Sequence, residues 1–161
     1  MFDSLQNLDK INLKNNIHIT FSGGGLKGYH NAGIFPIFNN YIDTSKIKSI
    51  SCCSIGSITG VFCVCNIDIK TAYKLYQDMQ KYYYNGNINP IEYYYDKFFK
   101  ILPDNAHELC NKYNLEICVS KITLFGLKKI MCSNFKSKNE LIDYMCASIT
   151  PTKKKNETKI H

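Results

Sequence analysis

Five residues near the N-terminus, Ile17-His18-Ile19-Thr20-Phe21, alternate apolar and polar and run straight into three glycines. A period of two that stops at a glycine run predicts a strand ending in a tight loop. Leu26 to Tyr41 then carries apolar residues at helical spacing. Pro36 is expected to kink or offset that helix, because it has no amide to donate. Lys46 to Cys53 is short, with β-branched isoleucines, and predicts a second strand. From Ile55 the pattern becomes that of a buried helix through Cys65. The first third therefore reads strand, glycine loop, helix, strand, tight turn, helix, an α/β arrangement with parallel strands.

Asp68 is placed to cap a helix running from Ile69 to about Lys81, with Ala72, Leu75, Tyr76 and Met79 on one face. Tyr82 to Tyr84 and Tyr93 to Tyr95 flank a turn at Asn85-Gly86-Asn87. Such aromatics either cover a core edge or sit at an apolar–water boundary over a lipid cleft. Leu115 to Thr123 and Lys128 to Asn134 predict two strands joined around Gly126. Ser137-Lys138-Asn139-Glu140 is a capping box that opens a last helix to about Ile149. The organisation expected is an N-terminal extension over 1–16, one domain over 17–151 and a Lys-rich disordered tail over 152–161.

With 161 residues and 45% hydrophobic positions, the chain suits a single core. Its 20 basic residues are all lysine, giving a net charge of +7. Base readout and bidentate phosphate recognition favour the planar arginine fork. A lysine-only surface instead gives diffuse attraction to anionic lipid or polyanions, or is simply a solvated face, and specific nucleic-acid binding is not expected. The eight cysteines sit mostly in apolar runs such as Cys63-Val64-Cys65, as small buried hydrophobes do. Met1 to Asn16 lacks a signal-type apolar run, and no CxxC pair points to zinc. A reduced, intracellular protein is expected, at most peripheral to membranes, since the most apolar stretch, Ile50 to Ile67, is broken by Ser51, Ser54, Gly56, Ser57, Thr59 and Gly60.

Ser22-Gly23-Gly24-Gly25-Leu26-Lys27-Gly28 follows a strand and opens a helix. Successive glycines let amides turn inward beside the positive helix end, which suits an anion, either a nucleotide phosphate or a transition-state oxyanion. Gly23, Gly25 and Gly28 formally satisfy a dinucleotide fingerprint. That reading also needs an acidic residue at the end of the second strand, where this chain has Ser51-Cys52-Cys53-Ser54. The nucleotide reading falls on that point.

Cys52-Cys53-Ser54-Ile55-Gly56 sits where the second strand passes sharply into a helix. A nucleophile turn needs small residues two positions either side of the serine. Gly56 meets that need, while Cys52 carries a Cβ and meets it loosely. A helix-capping role for Ser54 is the competing reading. Parallel neighbouring strands bring the glycine loop and Ser54 to one sheet edge, a nucleophile beside oxyanion donors.

Phe21-Ser-Gly-Gly-Gly-Leu-Lys-Gly28, Gly33 and Ser51-Cys-Cys-Ser-Ile-Gly-Ser-Ile-Thr-Gly60 together resemble the opening of patatin-like phospholipases. The likeness continues through Asp68 to Tyr76, and Tyr144-Met-Cys-Ala-Ser-Ile-Thr-Pro151 is similar to the Ala-Ser segment that leads to a proline in those proteins. The resemblance implies an α/β three-layer fold with a mainly parallel central sheet, incomplete at the C-terminus. It implies lipid acyl-ester hydrolysis with no metal or cofactor and a lipid or membrane-surface substrate. By it, Ser54 matches the nucleophile, Gly24 and Gly25 the oxyanion hole within the Gly23–Gly28 loop, and Lys27 a head-group contact. Cys52 and Gly56 flank the nucleophile turn. The family pairs its serine with an Asp rather than a His, so His30 is expected to pack or cap.

That Asp lies in an Asp-Gly motif after the Ala-Ser segment, and this sequence contains no Asp-Gly. Asp78, Asp96, Asp104 and Asp143 all precede the segment and do not match the position. A serine without its base stays protonated at neutral pH. The expectations are therefore either a hydrolase whose missing part comes from a protein partner or a shortened, inactive chain that binds lipid.

Overall fold

The computed structural model describes residues 16–86 and 91–150, an α/β arrangement of one four-stranded sheet and six α-helices. The expected tail, and all of the N-terminal extension but Asn16, lie outside these residues. Strands β1 (Ile17–Phe21), β2 (Ile47–Cys53) and β3 (Leu115–Thr123) run parallel, and β4 (Gly126–Cys132) returns antiparallel to β3. The order β1-β2-β3-β4 follows the chain. Phe21 pairs with Cys52 and Cys53 with Cys118, so the ends of β1 and β2 meet the middle of β3.

Alternation sorts the strands into two faces. Phe21, Ile50, Cys52, Leu115 and Ile117 point into the core. There they meet helices α2 (Ile55–Val64), α5 (Ala106–Lys112) and α6 (Lys138–Ile149). The opposite face carries His18 bonded to Ser49, Ser51 bonded to Glu116, Thr20 and Cys118, all half-buried or exposed. Parallel sheets are usually covered on both sides. Among the described residues this one is covered on one, so a second flanking layer, part of the three-layer expectation, is not seen there.

Helix α2 is buried along its whole length. Its polar positions are satisfied internally, as burial demands. Ser57 Oγ donates to Ser54 O at 2.7 Å, and Thr59 Oγ1 accepts from Asn31 Nδ2 at 3.0 Å and shares a proton with Tyr76 Oη at 3.1 Å. Asp68 caps α3 (Ile69–Tyr84) by accepting from the Lys70 and Thr71 amides, and the four apolar residues expected on its inner face are all buried.

Leu26 to Tyr41 departs from one continuous helix. Gly25–Gly33 is a 3-10 run, and α1 begins only at Ile34 and ends at Tyr41. Three glycines weaken the α-helix over that run. The restart places Pro36 in the first turn of α1, where its missing donor costs nothing. Helix α4 (Ile91–Ile101) and α5 were not evident from the sequence. In α4 the aromatic run hides the period, yet Tyr94 and Phe98 are buried one helical turn apart, and Leu102 is buried just past its end. Tyr82 stacks on Tyr93 with centroids 4.4 Å apart, and both tyrosine groups seal the core edge between α3 and α4.

Ser137 caps α6 by accepting from the Glu140 amide at 3.1 Å, while the Glu140 carboxylate takes the Lys136 amide rather than that of Ser137. Cys52, Cys63, Cys110 and Cys146 are buried free thiols. Among the described residues no helix is long and apolar enough to cross a membrane.

Candidate active site

Ser54 is the single residue between β2 and α2, with φ 53° and ψ −131°. That left-handed conformation is strained for any residue with a Cβ. Close packing on either side enforces it. A Cβ on Gly56 would lie 2.2 Å from the Phe21 carbonyl oxygen, so only glycine lets the start of α2 press on the end of β1.

The turn is held at both peptide groups. The Ser54 amide donates to Ser148 Oγ at 2.8 Å, and Ser148 Oγ donates to the Cys118 carbonyl at 2.7 Å. The Ser54 carbonyl accepts from the Ser57 amide at 2.8 Å. The Ser54 side chain makes no capping bond to α2, which removes the capping reading and leaves the residue lining a cavity.

Cys52 stands where the nucleophile turn usually has glycine. Its φ is not positive, so glycine's backbone freedom is not needed there. Its sulfur takes the space opposite Gly60, whose added Cβ would lie 2.3 Å from Cys52 Sγ. Burial, followed by the neighbouring Cys53, pushes the Cys52 thiol up to about 12. Cys53 is exposed, and burial of its sulfur together with Cys118 raises its thiol as well. Neither thiol is poised as a nucleophile at neutral pH.

The glycine loop lies against this turn. A Cβ on Gly23 would be 3.2 Å from Ser54 Cβ and 3.8 Å from Ser54 Oγ. Gly24 precedes the 3-10 run, and Gly25 opens it at φ 55°. Gly28 is buried against Ile55. The Lys27 amide closes the first turn on the Gly24 carbonyl at 3.2 Å. The amides of Gly25 and Leu26, ahead of that closure, have no acceptor within the helix. Lys27 itself is exposed and outside the cavity lining.

The cavity encloses about 520 Å³, within the range of small-molecule sites. Gly25, Gly28, Ser54 and Ile55 form one wall, Tyr76, Met79, Gln80 and Tyr83 of α3 another, and Ala147 to Thr150 a third. Cys53 of β2, with Cys118, Ser120 and Lys129 of the hairpin, completes the lining. Most of its surface is apolar. The lysine at the cavity is thus Lys129, brought by β4, and the serine that holds the turn is Ser148, from the Ala-Ser segment. Lys129 carried no local signal, and Ser148 lay in the Ala-Ser segment without a role assigned to it.

Among the described residues no Asp, Glu or His lines the cavity. Asp78 pairs with Lys97 at 2.5 Å, Asp104 pairs with Lys138 at 3.2 Å, and Asp96 and Asp143 are exposed on α4 and α6. Glu116 receives the Ser51 hydroxyl at 3.5 Å on the open sheet face. His30 is exposed on the 3-10 run, outside the lining. Among the described residues no three His, Cys, Asp or Glu side chains are grouped to hold a metal ion.

Comparison with protein-family models, curated proteins and solved structures finds no match for the chain.

Proposed function

We propose that the chain is a patatin-like lipid acyl-ester hydrolase in which Ser54 is the nucleophile. The observation that carries this reading is the strained Ser54 turn at the wall of an apolar cavity, with the glycine loop beside its hydroxyl. Three separated segments meet there: residues 21–28, residues 51–60 and the Ala147-Ser148 segment.

In the reaction Ser54 Oγ attacks the acyl carbonyl and its proton passes to a base. The Gly24 and Gly25 amides hold the oxyanion, and donors of this kind contribute about 3–4 kcal/mol each. Collapse expels the protonated alcohol, and water then releases the fatty acid from the acyl-serine. The apolar lining accepts the acyl chain. On this reading the sheet is part of a patatin-like three-layer fold, and the base is a carboxylate from outside the described residues.

A second reading is favoured by one observation, that no carboxylate or imidazole lines the cavity among the described residues. It is a lipid-binding module that keeps the cleft without turnover, since an oxyanion hole and binding alone give modest catalysis.

Labelling with a fluorophosphonate ester, read by intact mass beside a Ser54→Ala control, separates them. One adduct that vanishes in the control supports the hydrolase. No adduct on a folded chain leaves the binding module.

A further inference from the structure

The β3–β4 hairpin breaks the usual rule for its turn. Two-residue hairpin turns favour Asn, Asp and Gly. Here the two turn residues are Leu124 and Phe125, exposed to 100% and 102%. The turn is built to hold them out. The Phe125 amide donates to Thr123 Oγ1 at 3.3 Å, and that hydroxyl donates to the Gly126 carbonyl at 2.8 Å. Behind the tip, Ile122 pairs with Leu127, and both are exposed.

Charge is arranged around this apolar end. Lys121 sits directly opposite Lys128, a like-charge pair that costs stability. Lys129 lies one position further on, and no acidic residue occurs between Glu116 and Glu140. An apolar tip collared by lysines is complementary to a bilayer with anionic head groups: the tip enters the acyl boundary while the lysine ammoniums stay among the phosphates.

The register ties this end to the cavity. Ser120 pairs with Lys129 on the strand face that also carries Ile122 and Leu127, and both Ser120 and Lys129 line the cavity. We infer that the hairpin is an interfacial anchor, which docks the chain on an anionic lipid surface with the Ser54 cavity at that surface. The inference rests on the lipid reading above and adds where the lipid is met.

The chain contains no tryptophan, so Phe125→Trp makes a single reporter at the tip. Vesicles of phosphatidylcholine with phosphatidylserine should shift its emission to the blue, and brominated acyl chains should quench it. The native chain should co-sediment with those vesicles. Leu124→Ser with Phe125→Ser should weaken this at least about tenfold, as should Lys121→Glu with Lys128→Glu. All four side chains are exposed, so circular dichroism and thermal midpoint should stay native. Unchanged emission from a folded reporter, or variants that sediment like the native chain, would overturn the inference. So would a concentration-dependent blue shift without vesicles, which marks a second copy as the partner. Fluorophosphonate labelling in vesicle-free solution does not involve the hairpin tip, since Leu124 and Phe125 lie outside the cavity lining. Loss of the Ser54 adduct with vesicle binding intact therefore sinks the hydrolase alone, and the converse result sinks the anchor alone.

Discussion

The hydroxyl of Ser148 holds the backbone of Ser54: it accepts the Ser54 amide at 2.8 Å across a sequence separation of 94 residues. By donating onward to the Cys118 carbonyl it also ties α6 to β3. Ser148→Ala removes the acceptor of the Ser54 amide in a half-buried setting, at a cost of about 1–3 kcal/mol. Urea denaturation should report the loss. Fluorophosphonate labelling of Ser54 should slow in the folded variant, because the turn loses a support.

Ser54→Gly should stabilise the protein while abolishing labelling. The φ and ψ of Ser54 are those of a mirror-image extended residue, open to glycine and costing any other residue about 1–3 kcal/mol. Glycine's greater unfolded-state freedom takes back roughly 0.4–1 kcal/mol. The net gain of about 1 kcal/mol raises the thermal midpoint by roughly 2–4 °C in a domain of this size. Ser54→Ala keeps the strain and should show no such rise.

Cys52 and Gly60 should be energetically coupled. Gly60→Ala places a methyl against Cys52 Sγ and Phe21, an overpacking cost of about 1–3 kcal/mol. In a Cys52→Ala background the sulfur is gone, and alanine's better helix propensity, about 1 kcal/mol over glycine, makes the same change neutral or favourable. A double-mutant cycle by chemical denaturation should give a coupling of at least about 1 kcal/mol.

Asp68 gives α3 a pH-dependent cap. Hydrogen bonds from the Thr71 hydroxyl, then the Thr71 amide, hold its carboxyl below the usual 3.8. A folded-state pKa below the unfolded one means stability that is present above 3.8 and lost as pH falls through the folded value. Asp68→Ala should cost about 1 kcal/mol at neutral pH. Native and variant unfolding curves should converge as the pH is lowered past that range.

The end of β1 and the β2–α2 turn were legible because their constraints are short-range or steric, whereas the helix expected from Leu26 breaks into a 3-10 run and α1. Gly56 has to be glycine against Phe21, and alternation alone marks β1. The Asp68 and Ser137 caps were legible for the same reason, since each acts within one turn. What stayed hidden depends on tertiary placement. Lys27 lies next to the glycines in sequence, yet the 3-10 run turns it outward, and Lys129 reaches the cavity only because β4 folds back on β3. Tyr94 and Phe98 anchor α4, but an almost uniformly aromatic stretch shows no contrast from which to read a period. The open face of the sheet was unreadable because cysteine, serine and threonine suit either side of a strand.

The 94-residue span between Ser54 and Ser148 also sets an order of events during synthesis. Chains emerge from the ribosome N-terminus first, and long-range contacts form late. The Ser54 turn is therefore made early but gains its clamp only once α6 has emerged and docked. Nascent chains ending anywhere before α6 should hold the Ser54 turn on the Gly56–Phe21 packing alone, so that the turn is fixed at its amide only when α6 docks.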